Sequence, residues 1–281
     1  MEILRTVAEL RQWSREERND GGNTIGLVPT MGALHAGHAS LIRAAVNSVG
    51  FVAVSIFVNP TQFGPNEDYA RYPRTFEADC ALAESEGADV VFAPAVEELY
   101  PPGAATFVEV AGLSDRLDGA SRPGHFCGVA TVVAKLLIAA EPDRAFFGQK
   151  DAAQVAVLRR MVADLRFATE IVVCPIVREA DGLALSSRNV YLSAKEHAQA
   201  LVLSRAIRLV EGLVAEGERR GGVLIEAARK LFAAEPSVRV DYIEVVDWAT
   251  LLPVEVATPG TLFAVAAWVG VTRLIDNAIL G

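Results

Sequence analysis

TIGLVPTMGALHAGHASLIRAAVNSVGFVAVSIFV, residues 24–58, decides the fold class. Residues 24–28 read as a short buried strand, and residues 39–49 as a helix with Leu41, Ile42, Ala45 and Val49 near one face. Residues 51–58 are a nearly continuous apolar run, the pattern of a strand covered on both sheet faces. The alternation continues outward from this unit. A helix over 76–86 stops at Gly87, and a strand over 89–93 closes at Pro94. Then follow a helix at 128–140, a short strand at 145–147, a helix at 152–165 and a strand at 170–173. This order predicts an α/β domain, a parallel sheet with helices on both faces that binds ligands outside the carboxyl ends of its strands. The first twenty residues alternate charged and apolar types like a surface helix.

Beyond residue 177 the rhythm changes. Residues 193–218 read as one or two long helices and 224–232 as another, followed by strands at 238–246, 262–268 and 272–277 that suit antiparallel pairing. The expected domains are therefore 1–176 and a smaller α+β domain over 177–281.

Composition narrows the class of activity. The 281 residues carry 26 Lys and Arg against 35 Asp and Glu, a net charge of −9, which argues against a nucleic-acid partner. Mean hydropathy is +0.29, yet no run of about 18 uncharged apolar residues exists to span a bilayer. The N-terminus lacks the basic start, apolar middle and cleavage site of a signal peptide. Cys80, Cys127 and Cys174 are scattered, with no zinc or disulfide spacing, so a cytoplasmic location is expected.

Five segments carry the chemistry. In PTMGALHAGHASL, residues 29–41, Gly32 and Gly37 permit a tight turn, and His35 and His38 stand three apart at a helix start. Free backbone N–H groups favour anions there, and imidazoles can donate to a phosphate whose charge grows in a transition state. Two loop histidines without a ligand are the alternative. Asn59 and Gln62 follow the second strand and offer amides that read hydroxyl and carboxylate groups without titrating. Asp68, Tyr69, Arg71, Tyr72 and Arg74 next to them read as a solvated loop or part of a flap. Arg122, before Pro123-Gly124, could meet an anion, whereas His125 reads as structural. In FFGQKDAAQ, residues 146–154, Lys150 projects from a strand–helix junction as a cation suited to polyphosphate, with Asp151 and Gln154 beside it. Ser186, Ser187 and Arg188 combine hydroxyls with a guanidinium as a phosphate clamp, and Ser193 with Glu196 forms a capping box for the next helix. Neither a Gly-x-Ser-x-Gly elbow nor a Gly-x-Gly-x-x-Gly fingerprint is present.

His-x-Gly-His with a distal Ser-Ser-Arg loop resembles the nucleotidyltransferase superfamily related to class I aminoacyl-tRNA synthetases. PTMGALHAGH, SIFVNPTQFGPNEDYARYPRT, GASRPGHF, FFGQKD and GLALSSRN, in that order and spacing, resemble the pantothenate synthetase (pantoate–β-alanine ligase) family across essentially the whole chain. The resemblance implies a Rossmann-like N-terminal domain binding nucleotide and pantoate, and a smaller C-terminal domain carrying the Ser-Ser-Arg loop, with the active cleft between the two. It implies that pantoate attacks the α-phosphate of ATP to give pantoyl adenylate and pyrophosphate, and that β-alanine then displaces AMP. By the same resemblance ATP contacts Met31, Gly32, Ala33, Leu34, His35, Ala36, Gly37, His38, Gly148, Gln149, Lys150, Asp151, Val177, Leu185, Ser186, Ser187 and Arg188. His38, His35, Lys150 and Arg188 would be catalytic, His38 being the position usually assigned as proton donor. Gln62, Gln154, Asn59 and Arg122 would hold pantoate, with Gln62 also near β-alanine. Mg2+ is expected with ATP, with few direct protein ligands and Asp79 a candidate. A homodimer is expected. Ala36, Gln149 and Leu185 depart from residues common in relatives, at positions where activity should survive. The alternative is a nucleotidyltransferase of the same superfamily acting on another small substrate, and a nucleotide-sensing protein that kept the fold is a third.

Overall fold

A computed structural model of the protein describes residues 1–19, 21–65, 67 and 69–281. They divide into two compact units, residues 1–148 with 157–175 and residues 149–156 with 176–281.

The first unit holds a six-stranded parallel sheet. Its strands are β1 (Glu2–Leu4), β2 (Ile25–Thr30), β3 (Phe51–Ile56), β4 (Val90–Phe92), β5 (Arg144–Gly148) and β6 (Glu170–Cys174), in the order β1-β4-β3-β2-β5-β6. The connecting helices are α1 (Val7–Asn19), α2 (Ala36–Val46), α3 (Phe76–Ser85), the short α4 (Val96–Leu99) and α5 (Asp118–Ser121), α6 (His125–Ala140) and α7 (Ala152–Asp164). The first turns of α7 group with the second unit.

Leu41, Ile42 and Ala45 of α2 pack on Val52 and Val54 of β3, Val91 of β4 and Phe146 of β5. This apolar seam orients α2 so that its N-terminus follows the carboxyl end of β2. The chain winds one way through β2, β3 and β4 and the other way through β5 and β6. That reversal places the crevice of an open parallel sheet beyond the ends of β2 and β5.

Residues 2–4, expected within a surface helix, instead form the parallel edge strand β1, with Glu2, Ile3 and Leu4 opposite Val90, Val91 and Phe92. Only Leu4 of the three is buried, so the segment has no periodicity of its own. Its partner lies almost ninety residues away, and local pattern cannot announce such a pairing.

The second unit packs α8 (Ala194–Ala215) and α9 (Gly221–Ala233) on an antiparallel sheet of β7 (Val238–Asp247), β8 (Thr261–Val269) and β9 (Thr272–Ile279), in that order. Leu203, Ile207, Val210, Phe232, Phe263 and Val265 are among its core residues. Ser193 Oγ accepts the Glu196 N–H (3.3 Å), and the Glu196 carboxylate accepts the Ser193 N–H (2.8 Å), the reciprocal box expected at the start of α8. No helix of the described residues is long and apolar enough to cross a membrane.

Candidate active site

The loop after β2 turns through Gly32 (φ 80°) and Ala33 (φ 51°). A left-handed alanine costs about 1–2 kcal/mol. Asp79 of α3 offsets it: its Oδ2 accepts the Ala33 N–H (2.9 Å) and its Oδ1 accepts the Leu34 N–H (2.8 Å) and the Thr75 hydroxyl (3.0 Å). Hydrogen bonds to a charged acceptor each contribute about 1.5–3 kcal/mol, so the carboxylate outweighs the strain. Asp79 is 2% exposed, and both of its oxygens are engaged in holding the loop. That occupation sets it apart from the magnesium ligand that the sequence offered.

α2 begins at Ala36, with His35 as its cap, three residues earlier than the apolar pattern indicates. His35 Nδ1 accepts the Gly37 N–H (3.1 Å), and His38 Nδ1 accepts the His35 N–H (3.3 Å). The ring centroids lie 4.2 Å apart at a tilt of 44°. A ring nitrogen that accepts an N–H holds no proton, so each neutral imidazole carries its hydrogen on Nε2. A Cβ at Gly37 would lie 2.8 Å from His35 Cε1, so any larger residue there would displace that ring. The loop therefore joins a helix N-terminus to two oriented imidazole donors.

After β3, Asn59 caps the 3-10 turn Pro60–Gln62 and is fully buried. Its Nδ2 donates to Gln62 Oε1 (2.9 Å) and to the Gly128 carbonyl (3.1 Å), while its Oδ1 accepts from the Thr61 N–H and hydroxyl. Asn59 is thus saturated, and its action on any ligand passes through Gln62. With Oε1 taken, the Gln62 carboxamide presents its N–H bonds, which meet no acceptor among the described residues.

Arg122 does not stand open to an anion. It forms a two-point pair with Glu67 (2.7 and 2.6 Å), meets His125 Nε2 (2.9 Å) and donates to the Gln62 carbonyl (3.2 Å). Burial works against the Glu67 charge, but the Arg122 guanidinium holds its carboxyl below the ordinary range. His125 Nδ1 lies 2.8 Å from the same Gln62 carbonyl. Burial, then the Arg122 charge, pushes His125 down to about 4. A neutral ring with its hydrogen on Nδ1 satisfies both contacts. Arg122, His125 and Glu67 form a strut beneath the Gln62 backbone. Tyr69 and Tyr72 of the adjoining segment stand edge-on to Phe63, and Arg74 lies over the Tyr69 ring. Asp68 lies outside the described residues.

In the second unit, Gln149–Asp151 is a 3-10 turn running into α7, with Gln154 half-buried in the helix's first turn. Lys150 Nζ lies 3.8 Å from Asp151 Oδ1. Residues 177–185 form a small hairpin: the Leu185 N–H reaches the Val177 carbonyl (2.9 Å), and Arg178 pairs antiparallel with Ala184. Ser186 caps the turn Ser187–Tyr191 by accepting the Arg188 N–H (3.2 Å). Asn189 ties this turn back to Glu179 (2.6 Å) and to the Ala184 carbonyl (3.2 Å), and Glu179 also meets His197 Nε2 (2.9 Å). The serines and Arg188 are thus held on a braced loop. The bracing roles of Asp79, Glu67 and His125 carry no local signal, because each acts on a segment at least 45 residues away.

The sequence model described as Pantoate-beta-alanine ligase matches residues 2–279. A pantothenate synthetase of Acidobacterium capsulatum is 62% identical, over 100% of this chain and 97% of its own length. The crystal structure of pantothenate synthetase from Thermus thermophilus is 48% identical with a TM-score of 0.94, covering 99% of each chain. A pantoate–β-alanine ligase of Francisella tularensis, solved with β,γ ATP and β-alanine, is 33% identical with a TM-score of 0.78, covering 99% of this chain and 97% of its own. Matched by the family model over residues 2–279 and by relatives along its whole span, the chain belongs to the pantoate–β-alanine ligase family.

Proposed function

We propose that the two imidazoles capping α2 are the adenylation donors of an ATP-dependent ligase that joins pantoate to β-alanine. As a member of its family the protein is an AMP-forming carbon–nitrogen ligase. The observation that carries the assignment of donors is the reciprocal His35–His38 cap, which directs both Nε2 hydrogens away from the helix backbone.

In the first step a pantoate carboxylate oxygen attacks the α-phosphorus of ATP, the bond to the β-phosphate oxygen breaks, and pyrophosphate leaves. Charge grows on the α-phosphate and on the leaving group. Donors already oriented toward that charge lower the barrier without reorganising. His35, His38 and the N-terminus of α2 supply uncharged donors, and Lys150 and Arg188 supply cations, with Ser186 and Ser187 beside Arg188. Met31–His38, Gly148–Asp151, Val177 and Leu185 complete the nucleotide contacts. Magnesium enters with ATP as part of the substrate.

Pantoate is held by the Gln62 and Gln154 carboxamides. Asn59 fixes which way Gln62 faces, and Arg122 fixes its backbone. In the second step the neutral β-alanine amine, near Gln62, attacks the acyl carbon, AMP leaves with the electron pair of the acyl–oxygen bond, and the nitrogen releases one proton to solvent as the amide forms. No covalent enzyme intermediate is required. The active form is a cytoplasmic homodimer.

Product analysis tests this reading. AMP and pyrophosphate should form with pantoate and MgATP, and pantothenate only when β-alanine is added; release of ADP would overturn it. His38→Ala should lower turnover at least roughly a hundredfold, the loss seen when one preorganised donor is removed, with ATP binding changed little. Unaltered turnover removes His38 from the chemistry.

A further inference from the structure

Two polar residues in the middle of β9 are buried where apolar ones would be ordinary. Asp276 is 2% exposed and Asn277 is 3% exposed. Each is fully occupied, and with a different partner. Asn277 Nδ2 donates to the carbonyls of Gln149 (3.0 Å) and Lys150 (2.9 Å), and its Oδ1 accepts from Gln149 Nε2 (3.2 Å). Asp276 receives both terminal nitrogens of Arg178 (2.7 and 2.9 Å), and its Oδ1 also accepts the Asn277 N–H (2.8 Å). Arg178 reaches on to the Gly182 carbonyl (3.1 Å), bracing the hairpin that leads into Ser186–Arg188.

Consecutive strand residues project to opposite faces. One face of β9 therefore grips the backbone of the turn bearing Lys150, and the other grips the base of the hairpin bearing Arg188. We propose that Asn277 and Asp276 are positioning residues for adenylation, fixing Lys150 and Arg188 relative to one another through a single stretch of strand; this rests on the phosphate roles proposed above for those two cations. The side-chain types fit the task. Only a carboxamide can give two N–H bonds to neighbouring carbonyls while accepting one in return, and only a carboxylate matches the guanidinium fork at two points.

Asn277→Asp keeps the shape and turns acceptor oxygens toward two carbonyls. Asn277→Ala removes the grip. Each half-reaction is measured separately: pyrophosphate release from MgATP and pantoate, and pantothenate formation from β-alanine and synthetic pantoyl adenylate. Both variants should lose at least about tenfold in kcat/KM for MgATP in the first half-reaction, the scale of one buried hydrogen bond to a positioned group. The second half-reaction should stay within about threefold. Equal losses in both halves would mark Asn277 as a fold staple and overturn the proposal, as would no loss in either. If the Asn277 variants do not fold, Asp276→Asn is judged by the same split. Lys150→Ala and Arg188→Ala separate the two levels of inference. If these two leave adenylation intact, the phosphate assignment itself fails; if they abolish it while the β9 variants do not, the positioning role alone fails.

Discussion

His125 gives the protein a titration outside the ordinary histidine range, and acid should expose it. Its folded value is about 4 against an ordinary 6.5, lowered first by burial and then by Arg122. The unfolded chain therefore binds more protons than the folded one between these values. The stabilisation is complete above pH 6.5 and is lost as pH falls through the window toward 4. At pH 5 the unfolded ring is almost wholly protonated and the folded ring about one-tenth so, a roughly 30-fold bias toward unfolding, or about 2 kcal/mol. Below pH 4 the loss approaches about 3 kcal/mol. His125→Asn, which cannot gain the charge, should lack this component while losing ring contacts at every pH. With four histidines in the chain, single variants assign each ring resonance, and the His125 Cε1 proton can be followed directly by NMR. Urea midpoints at pH 8 and pH 5 for the two proteins give the energetic difference. A His125 value at or above about 6, or equal pH losses in wild type and variant, would refute the burial-and-repulsion account.

Asp79→Asn should raise KM for MgATP and lower stability by about 2 kcal/mol, since one charge-assisted bond to the histidine loop is lost; an unchanged KM would detach Asp79 from the site. Gly37→Ala forces the His35 ring aside and should lower kcat by roughly a hundredfold, the scale of an ångström-level misplacement. Its melting temperature should move only a few degrees, and retained turnover would show that the ring need not stand there. Chelation of divalent cations should stop pyrophosphate release and magnesium should restore it, whereas release in excess chelator would exclude the magnesium complex as the substrate.

The parallel sheet is legible in the sequence because its inner strands are apolar on both faces; 51–58 can hardly be read otherwise. The chemistry-bearing segments are legible because each combines a strand end, a glycine or proline and polar side chains within a few residues. What escapes reading depends on partners remote in the chain. Arg122 reads as ready for an anion because Glu67, which occupies it, lies 55 residues away. The start of α2 reads late because a histidine serves as its cap in place of the usual Ser, Thr, Asp or Asn. The β9 clamp does leave a trace: in LIDNAIL, residues 274–280, adjacent Asp and Asn interrupt an otherwise apolar run, and a buried polar pair needs partners.

The histidine cap also limits what kind of catalyst the pair can be. A ring whose Nδ1 is committed to a backbone N–H cannot gain a second proton there without setting two hydrogens against each other. In the ligase proposed above, His35 and His38 would therefore act through Nε2–H, as hydrogen-bond donors to phosphate oxygens. Under that proposal their contribution would be one of aim, set by the backbone N–H groups that fix each ring.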